Sequence, residues 1–270
     1  MLQDFKPMVG YTVFYRIVAL ASGVGKTSLG EELVSYLSRK GVKVAVIKHT
    51  HEPIIDPESD TGRYWKAGSR VVIVSSPEAT LILKEPLGGL EEIAGVMRFY
   101  PLVIAEGFRG SKIGKAIAII DSEEELSHIT GEPGLWMIVS HDFTIVEKAK
   151  EIGLNALLFK ETEALAEEIY KDALSMLHSM LEGKDCRQCG LSSCLELAEK
   201  ILTGAITPIE CPVLTRLSVI VEDKVIPLNP LLVKILGYTI RGALASIEGV
   251  PENPREITIK IYLQGISEKH

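Results

Sequence analysis

The sequence predicts an α/β fold: a mostly parallel sheet with helices on both faces, followed by a smaller C-terminal region. Short apolar runs that indicate buried strands alternate along the chain with segments of helical periodicity. Polar or glycine-rich loops follow several of these runs, where parallel strands place their carboxyl ends and where ligands collect. All four cysteines lie between positions 186 and 211, which sets the C-terminal region apart.

The predicted elements begin after a weakly patterned leader, residues 1–13. Residues 14–20 form an apolar strand, and behind a short loop the spacing of Leu29, Leu33 and Leu37 predicts a helix that Gly41 ends. Further strands are predicted at 42–48, 70–76, 102–105, 116–120, 135–139 and 156–159, and further helices at 90–98, 144–152 and 161–183. Strands that alternate with helices in this way join a parallel sheet.

The loop between the first strand and the first helix has the sequence Ser22, Gly23, Val24, Gly25, Lys26, Thr27, Ser28. Its glycines can adopt positive φ and turn backbone N–H groups toward phosphate oxygens, and the helix N-terminus attracts the same anion. Lys26 would reach the β- and γ-phosphates, and the Thr27 hydroxyl would bind Mg²⁺. This pattern predicts a P-loop NTPase sheet. Leu20 stands where the full pattern has its first glycine, so we expect the loop to start in a different conformation.

Two acidic positions are candidates for the region of the metal. Glu106 follows the strand at 102–105, where P-loop hydrolases place an acid that orients Mg²⁺ or its water; the alternative is a solvated carboxylate at a strand end. Asp60 belongs to a polar cluster with Arg63 after the second strand, and it could assist the metal or belong to a solvated loop. Lys26, Glu106 and Asp60 are therefore the predicted catalytic residues. The source of an arginine finger stays open between Arg63, Arg109 and a second subunit.

Asp142 is a candidate for reading the nucleotide base. It follows a late strand, where a carboxylate can accept the N–H groups of guanine and reject adenine. The alternative is an N-cap for the helix that begins near residue 144. The motifs do not separate GTP from ATP.

Composition excludes several functional classes. With 29 basic and 36 acidic residues the net charge is −7, which argues against a general nucleic-acid binder. No stretch approaches the roughly 20 apolar residues of a membrane span, and no signal peptide is visible. The clustered cysteines argue against a disulfide framework and favour a metal or cluster site in a reducing cytoplasm.

The spacing of Cys186, Cys189, Cys194 and Cys211, with Pro212 after the last, suits a [4Fe–4S] cluster held by four thiolates. Zinc is the alternative, since four cysteines also close a tetrahedral site. A helix to Gly204, a hairpin at 218–221 and 224–226, a helix from Pro230 and a strand at 257–262 complete a small α+β domain. The predicted organisation is a P-loop domain at 1–170, a helical connection at 171–183 and an iron–sulfur domain at 184–270.

With these residues in view, positions 1–170 resemble the molybdopterin-guanine dinucleotide biosynthesis protein B (MobB) family. The resemblance rests on the stretches 22–29, 46–51, 56–57, 60–61 with Arg63, 67–68 and 103–108. Lys48-His49-Thr50-His51 and Glu106-Gly107-Phe108 are its more specific parts. Residues 184–270 lie outside the minimal family. They resemble small iron–sulfur domains of anaerobic one-carbon and electron-transfer proteins.

The MobB resemblance implies a GTP-binding protein with weak GTPase activity and a homodimeric assembly. It also implies that the protein assists the MobA-like guanylyltransferase that attaches GMP to molybdopterin. Carried over by position, Gly25, Lys26 and Thr27 would bind phosphate and Mg²⁺, with Asp60 and Glu106 as acids near the metal. Two alternatives stay open. One is a redox-responsive nucleotide-binding adaptor, and the other is an ATP-driven activator of a metallocluster or reductase.

Overall fold

The protein is described from a computed structural model that covers residues 5–50, 52–97, 99–181, 183–187, 189–206, 211, 219–221, 224–226 and 230–250. The chain divides into two compact units, residues 1–208 and 209–270.

The strands of the first unit are, in chain order, β1 (Met8–Val9), β2 (Thr12–Ala19), β3 (Val44–Lys48), β4 (Val71–Ser75), β5 (Thr80–Lys84), β6 (Leu102–Glu106), β7 (Lys115–Ile119), β8 (Leu135–Ser140) and β9 (Ala156–Leu158). The helices are α1 (Lys26–Arg39), α2 (Asp60–Lys66), α3 (Leu90–Val96), α4 (Glu123–Ile129), α5 (Phe143–Glu151), α6 (Thr162–Met180) and α7 (Cys194–Leu202). A 3-10 turn, Phe159–Glu161, leads from β9 into α6.

The main sheet has the order β3-β6-β2-β7-β8-β9, and every neighbouring pair along this path is parallel. The short β1 joins β2 in antiparallel pairing. This topology confirms the predicted mostly parallel sheet with helices on both faces. Because the strands run in one direction, their carboxyl ends meet at one edge, and the loops after β2, β3, β6, β7 and β8 gather there.

The core lies on both faces of the central strand β2, which is buried from Thr12 to Val18. On one face Phe14 packs with the apolar side chains of β3, β6 and α3. On the opposite face the Tyr15 hydroxyl donates to Asp172 of α6 at 2.5 Å, and α1 packs against both the sheet and α6. Apolar burial on two faces explains why β2 is a continuous apolar run rather than an alternating one.

One side chain interrupts this apolar run. Arg16 is completely buried in β2, and its guanidinium pairs with Glu132 at 2.5 Å. The same guanidinium donates to the carbonyl oxygens of Ile113 at 2.7 Å, Phe108 at 3.1 Å and Pro133 at 2.5 Å. A buried charge is tolerated only when it is paired and its donors are satisfied, and both conditions hold here.

The structure differs from the sequence-based elements mainly at β4, β5, α2 and α4. The strand predicted at 70–76 exists as β4, but it pairs with β5 in a separate antiparallel hairpin and does not enter the main sheet. The helices α2 and α4 lie in segments too polar for the apolar-periodicity criterion. Their N-caps, Ser59 and Ser122, each accept a hydrogen bond from the backbone N–H three residues later, and this capping signal was overlooked.

Helix α7 belongs to the first unit, where it packs against α6. The carbonyl oxygen of Leu202, its last residue, accepts a hydrogen bond from the Lys43 backbone N–H at 3.1 Å. The predicted domain limits at 170 and 183 stay predictions.

The second unit contains an antiparallel hairpin, β10 (Val219–Val221) with β11 (Lys224–Ile226), and a helix, α8 (Pro230–Ala245). These elements agree with the predicted hairpin and the predicted helix from Pro230. The strand predicted at 257–262 lies outside the described residues. Across the described part of the chain, no helix is both long and apolar enough to cross a bilayer.

We expect the Glu132→Ala substitution to lower the free energy of unfolding by about 3–5 kcal/mol, because it leaves the Arg16 charge buried without its carboxylate. Urea unfolding followed by far-UV circular dichroism measures the change. Glu123→Ala is the control: it breaks an exposed ion pair with Lys148 and should cost no more than about 1 kcal/mol. Equal losses of unfolding free energy in the two variants would mean that the backbone carbonyl oxygens alone compensate the buried charge of Arg16.

Candidate functional site

The predicted phosphate loop joins β2 to α1 at the carboxyl edge of the sheet. Gly23 and Gly25 both have left-handed backbone conformations, with φ of 76° and 91°. Gly25 is the N-cap of α1, so no side chain caps the helix, and the first turn contains no acidic residue. The first turn of α1 therefore has no acidic side chain of its own to compete with an anion for the backbone N–H groups and the positive end of the helix dipole.

The other residues of the phosphate loop are at least partly accessible to a ligand. Ser22, Thr27 and Ser28 are exposed, Val24 and Lys26 are half-buried, and the Lys26 ammonium donates to the Ala21 carbonyl oxygen at 3.0 Å. Leu20 is partly buried and packs against the apolar cluster that includes Val18, Ala118 and Ile138. The position that the full pattern gives to glycine is thus a core contact in this chain.

Thr27 and Glu106 meet at the start of α1. Both carboxylate oxygens of Glu106 accept from the Thr27 hydroxyl at 3.0 Å. Glu106 is only 15% exposed because β6 lies between β2 and β3, with Ile17 and Lys48 as its register partners. A hydroxyl and a carboxylate at one point provide oxygen ligands of the kind that Mg²⁺ prefers.

Lys48 is a member of this cluster that the sequence analysis did not place among the site residues. Its ammonium lies 3.6 Å from Glu106 Oε1 and 3.3 Å from Thr27 Oγ1. The only sequence signal was its position at the end of the second strand, within the Lys48-His49 stretch. Side-chain chemistry alone did not connect it to Glu106.

The segment after β6 has an unusual backbone. Gly107 and Phe108 both have positive φ, 95° and 57°. A Cβ on Gly107 would lie 3.1 Å from the His49 Cβ, and the His49 backbone N–H donates to the Glu106 carbonyl oxygen at 3.0 Å. Glycine at 107 therefore allows the ends of β3 and β6 to approach closely.

Asp60 lies on α2, where its carboxylate is 3.6 Å from the Arg63 guanidinium. The side chains are 92% and 74% exposed, respectively, so this is a surface pair one turn apart. The role of Asp60 near the metal stays a prediction. Arg109 is exposed in the loop after β6.

Asp142 caps α5. Its Oδ1 accepts from the Thr144 backbone N–H at 2.7 Å and also from the Thr144 hydroxyl. The hydrogen bond from the Thr144 hydroxyl, which has the larger effect, and the one from the Thr144 N–H hold the pKa of Asp142 below its usual value. The helix-cap alternative is therefore realised in the structure, and guanine recognition by Asp142 stays a prediction.

A second polar group lies next to Asp142, at the ends of β7 and β8. Asp121 accepts hydrogen bonds from the Ser140 hydroxyl at 3.0 Å, from the His141 backbone N–H at 2.7 Å and from the His141 ring at 3.0 Å. Partial burial acts to raise the pKa of Asp121, but these hydrogen bonds outweigh it and the pKa is lowered. The His141 ring stacks on Phe159 at 4.3 Å, and a Cβ on Gly25 would lie 3.0 Å from the Phe159 ring.

The cysteine loop begins beyond the C-terminus of α6. Asp185, Arg187 and Gly190 have positive φ values of 45°, 57° and 83°. Asp185 and Cys194 bond reciprocally: the Cys194 N–H donates to the Asp185 carboxylate at 2.6 Å, and the Asp185 N–H donates to Cys194 Sγ at 3.4 Å. These two hydrogen bonds hold the loop against the first turn of α7.

The cysteines differ in exposure. Cys186 is exposed, Cys189 is half-buried and Cys194 is buried; Cys211 is a buried residue of the second unit. Among the residues that the structure describes, no three His, Cys, Asp or Glu side chains lie close enough together to hold a metal ion.

Comparison with known proteins gives matches to two family models. Residues 15–141 match the model described as "Molybdopterin guanine dinucleotide synthesis protein B", MobB. Residues 181–213, which contain all four cysteines, match a family described as "Putative Fe-S cluster".

Similar curated proteins have related names. A protein of Methanocaldococcus jannaschii, named "Putative molybdopterin-guanine dinucleotide biosynthesis adapter protein", is 27% identical over 88% of this chain and 92% of its own length. The molybdopterin-guanine dinucleotide biosynthesis adapter protein of Escherichia coli is 31% identical over 42% of this chain and 70% of its own length. The Haemophilus influenzae protein of the same name is 34% identical over 41% of this chain and 62% of its own length.

Solved structures similar to this chain include a crystal structure of molybdopterin-guanine biosynthesis protein B. It is 23% identical, covers 59% of this chain and 99% of its own, and has a TM-score of 0.48. The structure of Bacillus subtilis MobB is 17% identical. It covers 58% of this chain and 95% of its own length, and its TM-score is 0.48.

Proposed function

Because the chain belongs to the molybdopterin-guanine dinucleotide biosynthesis protein B (MobB) family, we propose that it is an adapter in the synthesis of molybdopterin guanine dinucleotide. In this role it binds GTP with Mg²⁺ and hydrolyses it slowly. It presents the nucleotide or the molybdopterin to a MobA-like guanylyltransferase. Two of its curated relatives carry the adapter name and the third carries it with a qualifier, and this supports the assignment of the pathway.

The observation that carries the nucleotide part of the proposal is the meeting of Thr27 and Glu106 at 3.0 Å beside the uncapped N-terminus of α1. In this arrangement the loop N–H groups and Lys26 hold the phosphates. Thr27 binds Mg²⁺, and Glu106 holds the metal or its water. Ser22, Gly23, Val24, Gly25 and Ser28 complete the phosphate loop. Asp60 is proposed to assist the metal, and Asp142 is proposed to contact the nucleotide base.

Lys26→Ala tests the phosphate loop. A lysine ammonium makes charge-assisted hydrogen bonds to phosphate, worth about 1.5–3 kcal/mol each, so we expect GTP affinity to fall by about 100-fold. Titration calorimetry with GTP, ATP and Mg²⁺ measures the loss and the base preference. Lys150→Ala, on the exposed surface of α5, is the matched control and should bind as the parent does. Unchanged GTP affinity in Lys26→Ala would rule out the proposed phosphate site.

For the C-terminal region we propose a [4Fe–4S] cluster held by Cys186, Cys189, Cys194 and Cys211, within an iron–sulfur domain of residues 184–270. The donor chemistry supports it: four cysteines lie between positions 186 and 211, and the Asp185 backbone N–H already donates to Cys194 Sγ, as N–H groups do to cluster-bound sulfur. Thiols in this number require a reducing compartment such as the cytoplasm. Zinc is the competing occupant.

Anaerobic purification with iron, zinc and acid-labile sulfide analysis tests this assignment. We expect about four iron and four sulfide per chain and a broad visible absorption, because a [4Fe–4S] cluster has that composition. Cys189→Ser should lose them. Ser192→Ala, in the same loop, is the control and should retain them. One zinc per chain without sulfide would contradict the cluster.

We also propose that the protein works as a homodimer. The hairpin β4–β5 supports this: it is separate from the main sheet, and its cross-strand neighbours Ile73 and Ile82 are 62% and 58% exposed. Val71, on the same face, is 52% exposed, and Leu81, on the opposite face of the hairpin, is 53% exposed. A two-stranded hairpin is marginal in water by itself, and an unpaired apolar edge is a template for association.

Ile73→Glu with Ile82→Glu tests the dimer. We expect the double variant to be a monomer by sedimentation velocity at concentrations where the parent is a dimer, because it places charges in the apolar contact. Ile152→Glu, at another side chain that is 58% exposed, should leave the mass unchanged. A parent chain that sediments as a monomer would contradict the proposal, and so would a double variant that stays dimeric.

A further inference from the structure

We propose that Lys48 contacts the terminal phosphate of the bound nucleoside triphosphate and supplies in cis the positive charge that an arginine finger supplies in other hydrolases. This inference rests on the nucleotide binding proposed above. Its basis is the position of the Lys48 ammonium, 3.3 Å from Thr27 Oγ1 and 3.6 Å from Glu106 Oε1.

The backbone holds Lys48 at this point. Lys48 is the register partner of Glu106 in the parallel pair β3–β6, and the His49 N–H donates to the Glu106 carbonyl oxygen at 3.0 Å. Neighbouring strands lie about 4.8 Å apart, so the Lys48 side chain starts one strand spacing from the acid. The backbone position of Lys48 is therefore set by the sheet and does not depend on a surface loop.

Charge repulsion determines where the ammonium goes when the site is loaded. A divalent metal held by the Thr27 hydroxyl would have to lie beside Thr27 Oγ1, where the Lys48 ammonium now lies at 3.3 Å. Two cations cannot share this point, so Lys48 has to turn away on its flexible four-carbon stem. Mg²⁺ at this point would offset the charge of Glu106, and the γ-phosphate held beside it by the phosphate loop would then be the nearest remaining negative charge.

At that phosphate the lysine would act on the hydrolytic step. Water attacks the γ-phosphorus, the bond to the β–γ bridging oxygen breaks with its electron pair going to the diphosphate, and the water proton is released to solvent. Negative charge is spread over the γ-oxygens and the bridging oxygen in the transition state, and a fixed cation beside them stabilises it.

The other candidate cations are less well placed. Arg63 lies on α2, is 74% exposed and pairs with Asp60. Arg109 is exposed in the loop after β6. Lys26 is the loop lysine and is assigned to the β- and γ-phosphates already. Among the described residues, Lys48 is the cation that lies beside both Thr27 and Glu106.

The test is Lys48→Met, which keeps the length of the stem and removes the charge. Titration calorimetry with Mg²⁺ is done with GDP and with a non-hydrolysable GTP analogue. We expect analogue affinity to fall by about 10- to 100-fold, the factor that a charge-assisted hydrogen bond carries, and GDP affinity to change by less than about twofold. The single-turnover rate of GTP hydrolysis should fall as well, while Lys48→Arg retains most of both.

Lys66→Met is the matched control, since Lys66 is a lysine of similar exposure that pairs with Glu58. Circular dichroism checks that each variant is folded. Suppose that the parent binds both nucleotides. If Lys48→Met then weakens the binding of GDP and of the analogue equally, or weakens the binding of neither, the inference is wrong and the proposed function stands. If the folded parent binds neither nucleotide, the proposed function fails and takes the inference with it.

Discussion

The parallel pairing of β6 between β2 and β3 is the constraint on which the candidate nucleotide site depends. It sets Glu106 beside Ile17 on one side and Lys48 on the other, and α1 starts directly after the loop that follows β2. A slip of one residue would turn Glu106 to the opposite face of the sheet, and a slip of two would carry it about 6.6 Å along the strand. Either change would separate it from Thr27. The site is therefore a product of register as much as of side-chain chemistry.

Below this edge, a buried ion pair connects the site to the rest of the sheet. Arg16 lies in the same strand that leads into the phosphate loop, and it holds carbonyl oxygens of the loop between β6 and β7. Glu132 neutralises it and also accepts from the Gly110 backbone N–H at 2.9 Å. The segment that contains the strained Phe108 is thereby bonded at several points. A positive φ at a bulky residue persists only where surrounding contacts enforce it, and Arg16 provides such contacts.

The sequence was sufficient where a local pattern determines the structure. The apolar run of β2, the glycines at 23 and 25 and the leucine spacing of α1 each predict their own conformation, and together they predicted the sheet and the phosphate loop. It was insufficient where the structure depends on distant partners. The pattern at 70–76 correctly indicated a strand, but alternation does not say whether a strand joins the main sheet or a separate hairpin. Lys48 was overlooked for the same reason, because its contact with Glu106 exists only through the pairing of β3 with β6.

The two candidate sites of the first unit lie at opposite ends of α6. This helix starts beside Phe159, whose ring lies against Gly25, and its C-terminus leads to the loop of Cys186, Cys189 and Cys194. With 19 residues at about 1.5 Å each, α6 is about 28 Å long, so a nucleotide in the phosphate loop cannot touch these cysteines. Asp172 ties the middle of the helix to the sheet through Lys115, at 2.7 Å, and through the Tyr15 hydroxyl. An influence of one site on the other within this unit would have to cross this distance, through the anchored α6 or through the hydrogen bond between Leu202 of α7 and Lys43, which precedes β3. That geometry fits two separate binding functions better than one shared reaction centre.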